Sequence, residues 1–552
     1  MRVRAMALAT VAALLFGACS SSATTAPTAA PPSAAPATAA APSAAAPSAA
    51  APSTAAGGSQ LTFSEISNDF PTCFHPICFQ TGDQFMVFQL LFSSLVKRDA
   101  TEKIIPSLAD SWDVSPDATI FTFHLNKSAM WSDGQPVTAD DVVYTVTEAQ
   151  KDAKIYTTTG TYPITAWLAT KTVVAVDANT VKFTLNAPNA VFLQNLSDPA
   201  HMIMPKHVLS SIAGSALASS DFATGKAVVG SGPYTLAGYT PDQVIQFAAN
   251  PNYFKGAPSI SKLFMRLKVS PDTAAAQVQS GELGLALELQ PSDFNVLQKA
   301  PGIKVVQIPG VGQETLQYLT TNPQIADPRV RQAIDYAFDR KTLLATVFNG
   351  AGRLLWIDAG FDPTDSKLDH YDFNPAKAKT LLAAAAADGK YDPNTPIRII
   401  YSTQQTGWND IAAALDHDLT AIGMKHTMIP SDDAAWEAAI AGTGYEVSLQ
   451  CCGSPGLGPW KAAGLFNSVT PAGTMFGTAP LDALFAKASQ SGDPAVQNAA
   501  YTQAGEIINA AAPYDWLWAV AHTDAYTTKL TPEIYPNARE SFAQVEKWTL
   551  TP

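Results

Sequence analysis

Apolar residues recur at Val330, Ala333, Ile334, Ala337 and Phe338, the spacing of one buried helical face. Asp327 stands where an N-cap is needed, and Pro328 takes the first helical position, where its missing N–H has no consequence. Arg331 and Asp335, four apart, are expected on the polar face as a weak pair. Two β-like runs precede this helix, residues 304–308 and 315–320, with Pro309-Gly310 as a break between them. Further upstream, Phe121, Phe123 and Leu125 alternate as in a half-buried strand, and Ser132-Asp133-Gly134 reads as a turn. Thr138 is expected to cap a helix whose first turn holds Asp140 and Asp141, where the helix dipole favours acids. Strand-like runs at 172–177 and 180–185 are joined by a turn at Ala178-Asn179. Downstream, residues 397–401 read as a strand, 403–407 as a polar loop, 411–422 as a helix stopped by Gly423, and 424–429 and 445–450 as strands. That β-loop-α-β order predicts a parallel α/β sheet, whose loops at the strand carboxyl ends open into a cleft.

The amino-terminal pattern is different. Arg2 and Arg4 precede a short apolar run at 5–16, of the length of a signal sequence rather than a bilayer span. Gly17-Ala18-Cys19 follows and looks like a bacterial lipobox, with Cys19 as the lipidated residue of the mature chain. Residues 20–59 are almost all Ala, Pro, Ser and Thr, without the periodicity a core requires. At about 3.1 Å per residue in a polyproline-like conformation, this tether reaches on the order of 100 Å.

Length and charge narrow the function. With 552 residues the chain exceeds one compact core. A net charge of −13, with no Lys/Arg cluster beyond Arg2 and Arg4, excludes a nucleic-acid binder. No Gly-x-Ser-x-Gly, His-Glu-x-x-His or Gly-x-x-x-x-Gly-Lys-Ser/Thr pattern occurs. The acid pairs Asp140/Asp141 and Asp432/Asp433 are read as helix caps, so the chain is expected not to be an enzyme and to need no cofactor. Cys73 and Cys78 close a short loop in an exported chain, and a disulfide between them is expected. A metal reading of Cys73, His75 and Cys78 lacks a fourth ligand, so no metal is expected. The pairing of Cys451 and Cys452 stays open, since four cysteines allow three connectivities.

Several stretches carry a family resemblance. They are Asn322 to Arg340 (Asn-x-x-x-x-Asp-x-Arg-Val-Arg-Gln-Ala-Ile-x-Tyr-Ala-x-Asp-Arg), Pro106-Ser-Leu-Ala-Asp-Ser-Trp112, Trp131-Ser-Asp-Gly134, Gly230-Ser-Gly-Pro-Tyr234, Asn250-Pro-Asn-Tyr-Phe-Lys-Gly256 and Gln279-Ser-Gly-Glu-Leu283. In that wording and order the chain resembles the family-5, peptide/nickel type solute-binding proteins of ABC importers. The resemblance implies an α/β, two-lobed periplasmic-binding-protein-like fold (type II, cluster C-like) with an extra subdomain in lobe one. The expected organisation is a signal peptide at 1–18, the tether at 19–59, lobe I at 60–311 with a subdomain inserted at about 95–225, lobe II at 312–514, and a return to lobe I at 515–552.

It also implies a monomeric receptor outside the cytoplasm, anchored to the cell membrane, with a permease as partner and a solute held between the lobes. The expected pocket takes Phe79 from lobe I, and Trp356, Gln404, Trp408, Gln450, Cys451 and Ser454 from lobe II, with Trp408 as a stacking platform. Peptide-binding relatives typically carry a Trp and an Asp just after the strand equivalent to 445–450, the Asp holding the peptide's α-ammonium. Here Gln450 is followed by Cys-Cys-Gly-Ser-Pro-Gly-Leu-Gly-Pro, with no acid and no Trp before Trp460. An unpaired buried ammonium is costly, so this loop favours an oligosaccharide over an oligopeptide. An exported, anchored hydrolase and a non-transport solute sensor are the alternatives.

Overall fold

Val330, Ala333, Ile334 and Ala337 are all buried along one face of the helix Pro328–Ala337, and the Asp327 carboxylate accepts from the Arg329 N–H at its start. The computed structural model describes residues 59–551 except 65–72, 77–81, 102, 152–164, 213, 291–292, 362–363, 406, 451–457, 461, 470–473 and 536–540. Residues 1–58, which hold the expected signal sequence, Cys19 and all but the last residue of the expected tether, therefore lie outside the described residues, while Ser59 already bonds Ser259 and Ser261.

Strand β1 (Gln60–Ser64) starts the main sheet. The chain then leaves it for two antiparallel units. The first is β2 (Val96–Arg98) with β3 (Ile104–Pro106). The second holds β4 (Ala109–Val114), β5 (Ile120–Leu125), β6 (Thr170–Asp177) and β7 (Thr180–Leu185), in the order β4-β5-β7-β6. Phe121, Phe123, Val181 and Phe183 form its inner face, packed on Trp131, Trp167 and the helix Ala139–Lys151. Return to the main sheet is by β8 (Tyr234–Thr240), β9 (Val244–Ala249), β10 (Lys262–Arg266) and β11 (Leu285–Leu289). Glycine is required at this re-entry. A β-carbon on Gly232 would lie 2.4 Å from the Leu90 carbonyl oxygen, at the end of the helix Gly82–Leu91.

The remaining strands are β12 (Ile303–Tyr318), β13 (Gly352–Leu354), β14 (Ile397–Ser402), β15 (His426–Ser431), β16 (Val447–Gln450), β17 (Tyr514–Thr527), and the terminal pair β18 (Leu530–Thr531) and β19 (Thr549–Leu550). The main sheet runs β15-β14-β16-β12-β17-β11-β1-β10-β9-β8, with β13 on β17. Two long antiparallel strands, β12 and β17, carry it from one half to the other: β17 pairs β11 through residues 523–526, and β12 pairs β16 through 315–318. Separate apolar cores flank these halves. One gathers Leu61, Phe63, Phe88, Phe247 and Trp548; another gathers Leu316, Tyr318, Ile334, Ile399 and Leu415.

Two local expectations are corrected. The break at Pro309-Gly310 does not end a strand; β12 continues through it, and the disturbance is a register shift against β17 between Pro309 and Gln313. Arg331 and Asp335 do not form a solvent-facing pair, being 2% and 1% exposed. The Arg331 guanidinium donates to the carbonyls of Ala511 and Ala512 at the end of the helix Pro494–Ala511, where a cation complements the dipole, and to those of Ile325 and Ala326. Asp335 instead accepts from the Tyr318 hydroxyl at 2.6 Å.

Candidate functional site

Strands β14 and β15 are parallel, and β16 runs parallel to β14, so Ser402, Ser431 and Gln450 finish at one edge of the sheet. That is the edge where open α/β sheets hold ligands. Ser402 Oγ donates to Asp433 Oδ1, and Gln405 Nε2 donates to the same oxygen at 3.1 Å. The Gln404 amide N–H donates to Ser402 Oγ at 3.1 Å, and Gln404 Oε1 accepts from the Asp433 N–H at 3.0 Å. Asp432 caps the helix Asp433–Ile440 as the sequence suggests. Asp433 has a different job, holding the β14 loop to that helix.

Polar side chains alternate with apolar ones along β12: Gln313, Thr315 and Gln317 face one way, Leu316 and Tyr318 the other. Thr315 lies opposite Gln450 and Gln317 opposite Ser448, so the polar face continues onto β16. Gln317 Nε2 donates to the Tyr445 hydroxyl at 3.1 Å, and the Tyr514 hydroxyl donates to Gln317 Oε1 at 3.4 Å. Ser448 Oγ accepts from Trp436 Nε1 at 3.1 Å and from Gln450 Nε2 at 3.2 Å. Gln313 Nε2 donates to Asp358 Oδ2 at 2.7 Å. Burial raises the pKa of both phenols, Tyr445 and Tyr514, so they stay protonated; in this network Tyr514 donates and Tyr445 accepts. The strip from Thr315 to Gln450 is thus built of neutral amides, hydroxyls and phenols. Among the described residues no group of three His, Cys, Asp or Glu side chains is placed to hold a metal ion.

The residues picked from sequence distribute unevenly. Gln404 and Gln450 stand at the carboxyl ends of the adjacent strands β14 and β16, in the networks just described. Trp356 is half-buried beside a third apolar cluster, against which Tyr514 also packs, and is stacked on His370 with ring centroids 4.0 Å apart. Phe79, Cys78, Cys451 and Ser454 lie outside the described residues. Cys73 is disulfide-bonded, and its partner is not among the described residues.

Trp408 requires correction as a stacking platform. It has no exposed surface, its ring meets Trp436 edge-on at 5.2 Å, and its indole N–H donates to Glu314 at 2.9 Å. The reason is the helix start: the helix runs Trp408–Ile422, so Trp408 opens the buried stripe continued by Ile411, Ala412, Leu415 and Leu419. Gln317, Tyr445, Ser448 and Tyr514 were not picked from sequence. Their signal was there, in the polar alternation Gln313-Thr315-Gln317 beside a strand pattern at 445–450.

A sequence profile of the bacterial extracellular solute-binding proteins, family 5 Middle, matches residues 103–473, most of the chain. The chain belongs to the family-5 bacterial extracellular solute-binding proteins. Di/tripeptide-binding protein 1 of Pseudomonas aeruginosa is 27% identical over 486 residues, covering 83% of this chain and 88% of the relative. Heme-binding protein A of Haemophilus influenzae is 28% identical over 392 residues, covering 66% and 70%. Among solved structures, the ABC transporter substrate binding protein CtaP of Listeria monocytogenes superposes with a TM-score of 0.78 at 24% identity, covering 90% of this chain and 100% of the other. These likenesses establish the two-lobed α/β fold expected from sequence, and a family of solute-binding proteins rather than enzymes.

Proposed function

We propose that the chain is the solute receptor of an ABC importer, held outside the cell membrane by a lipid on Cys19, and that it captures an oligopeptide between its lobes. Lobe I is taken as residues 60–311 with the subdomain at about 95–225, lobe II as 312–514, and the return as 515–552. The separate apolar cores on either side of β12 and β17 support two lobes, although Leu517 and Trp518, from the assigned return, pack in the core of the second. Residues 73–79 are the part of lobe I assigned to the pocket. The observation that carries the ligand reading is the neutral strip of Thr315, Gln317, Tyr445, Ser448 and Gln450. Amide, hydroxyl and phenol side chains in the middle of the sheet, with Thr315, Gln317, Tyr445 and Ser448 no more than 7% exposed, offer neutral donors and acceptors to a peptide backbone. The name of the Pseudomonas relative supports the same class.

A second reading, an oligosaccharide, is favoured by the missing acid after β16. With no clamp at that position, a free α-ammonium has no partner there, whereas sugar hydroxyls need none. Calorimetry of the soluble form decides between them, with tripeptides, their N-acetylated forms and a glycan panel, each at two salt concentrations. Peptides should bind, with N-acetylation and salt changing affinity little, since few formal charges cross the strip. Glycan binding without peptide binding would replace the peptide by the sugar. Turnover of a bound solute would replace the receptor by a hydrolase.

A further inference from the structure

A cavity of about 440 Å³ that shares no lining residue with the neutral strip lies between the turn that follows β7 and the helices Ala462–Leu465, Ala479–Ser489 and Pro494–Ala511. Trp460, Phe485 and Tyr501 supply its aromatic wall, and Asn186, Asn189 and Asp482 its polar rim. None of the lining residues is basic. At one edge the Ala190 N–H donates to the Ser489 carbonyl at 2.7 Å, joining the inserted subdomain to the later helices.

One polar group here is unmatched. The Trp460 indole nitrogen is buried without a hydrogen-bond partner among the described residues. A buried donor without an acceptor is costly, and a site that binds a ligand is where such a donor finds its partner. The indole is also fixed in place. Gly458 passes so close that a β-carbon there would lie 1.6 Å from the ring. Burial raises the Tyr501 pKa to about 12, so its hydroxyl remains available as a donor.

We propose that this cavity is a second solute compartment, taking an uncharged ring whose oxygen accepts from Trp460 Nε1. Aromatic walls suit the faces of a ring, whether the side chain of an aromatic amino acid or a pyranose. The volume falls within the range of small-molecule sites. Asp482 on the rim, with no basic residue to balance it, disfavours anionic solutes. The ring would touch both the inserted subdomain and the later helices, so occupancy would hold the two together. The inference rests on the solute-receptor reading but not on the choice between peptide and sugar.

The test uses the mature, unlipidated chain and two neutral probes, N-acetyltyrosinamide and methyl β-glucoside, in calorimetry. It is repeated with Trp460→Phe, which keeps a ring but removes the N–H, and with Ala486→Leu, which fills the cavity from a helix position. One probe should bind, and its source, aromatic residue or pyranose, is then identified. Both substitutions should weaken it, Trp460→Phe by about 5-fold, the size of one net hydrogen bond. Melting temperatures show that each variant is folded. Should Ala486→Leu fold normally and bind the probe as tightly as the parent, the compartment is overturned. If neither probe binds while tripeptides or glycans do, the compartment fails and the receptor reading stands. If nothing in either panel binds, both fall.

Discussion

His75 shows how much one buried side chain can set. It is 2% exposed and meets Phe222 edge-on at 5.6 Å, and burial lowers its pKa to about 3. The folded chain therefore keeps the ring neutral, while the unfolded chain binds a proton below about pH 6.5. Stability is fully present above that pH and is lost as pH falls toward 3, by up to about 1.4 kcal/mol per unit. Urea unfolding between pH 7 and pH 4 should be less pH-dependent for His75→Gln than for the parent; identical slopes would show that His75 does not control the acid limb. Buried Asp335 works in the opposite sense. Burial and repulsion from Asp515 raise its pKa, so its contribution to stability falls as pH rises. Neither residue's burial can be read from its neighbours in sequence. Arg331 and Asp335 have the spacing of an exposed pair, and only Tyr318 and the carbonyls of Ala511 and Ala512, brought in by packing, make them internal.

At the scale of elements, β12 and β17 decide how the molecule can move. They are the long strands shared by both halves of the sheet, and β12 shifts register between Pro309 and Gln313. We propose this as the hinge, since a few residues where regular pairing is disturbed can absorb the backbone rotation of a closing domain. Solute that touches both halves then favours the closed form. Small-angle scattering should give a smaller radius of gyration at saturating peptide or glycan; an unchanged radius with a verified tight ligand would rule out hinged closure. The sequence showed Pro309-Gly310 as a break because proline and glycine disfavour a regular ladder. It could not show that β17 would bridge the break, because the partner strand lies far away in the chain.

At the scale of the whole molecule, a net charge of −13 is set against membranes whose surfaces are anionic. Retention there depends on the proposed lipid, and one acyl chain binds only marginally, so the several chains of a bacterial lipoprotein are needed. Cys19→Ala should appear in the medium or as uncleaved precursor on fractionation; normally processed Cys19→Ala that stays on the membrane would contradict the anchor. Local pattern alone determined the order of strands and helices, the cap at Asp327, and the motif wording that signals the family. Those features are legible because periodicity, capping and turn chemistry act over a few residues. Tertiary structure alone decided that Trp408 points into the core, that Gln317 meets Tyr445 and Tyr514, and that Trp460 shares a cavity with Asn186 and Asn189. A residue's periodicity tells which face it shares with its neighbours. What that face meets depends on chain segments hundreds of residues away, and so on the packing of the whole fold.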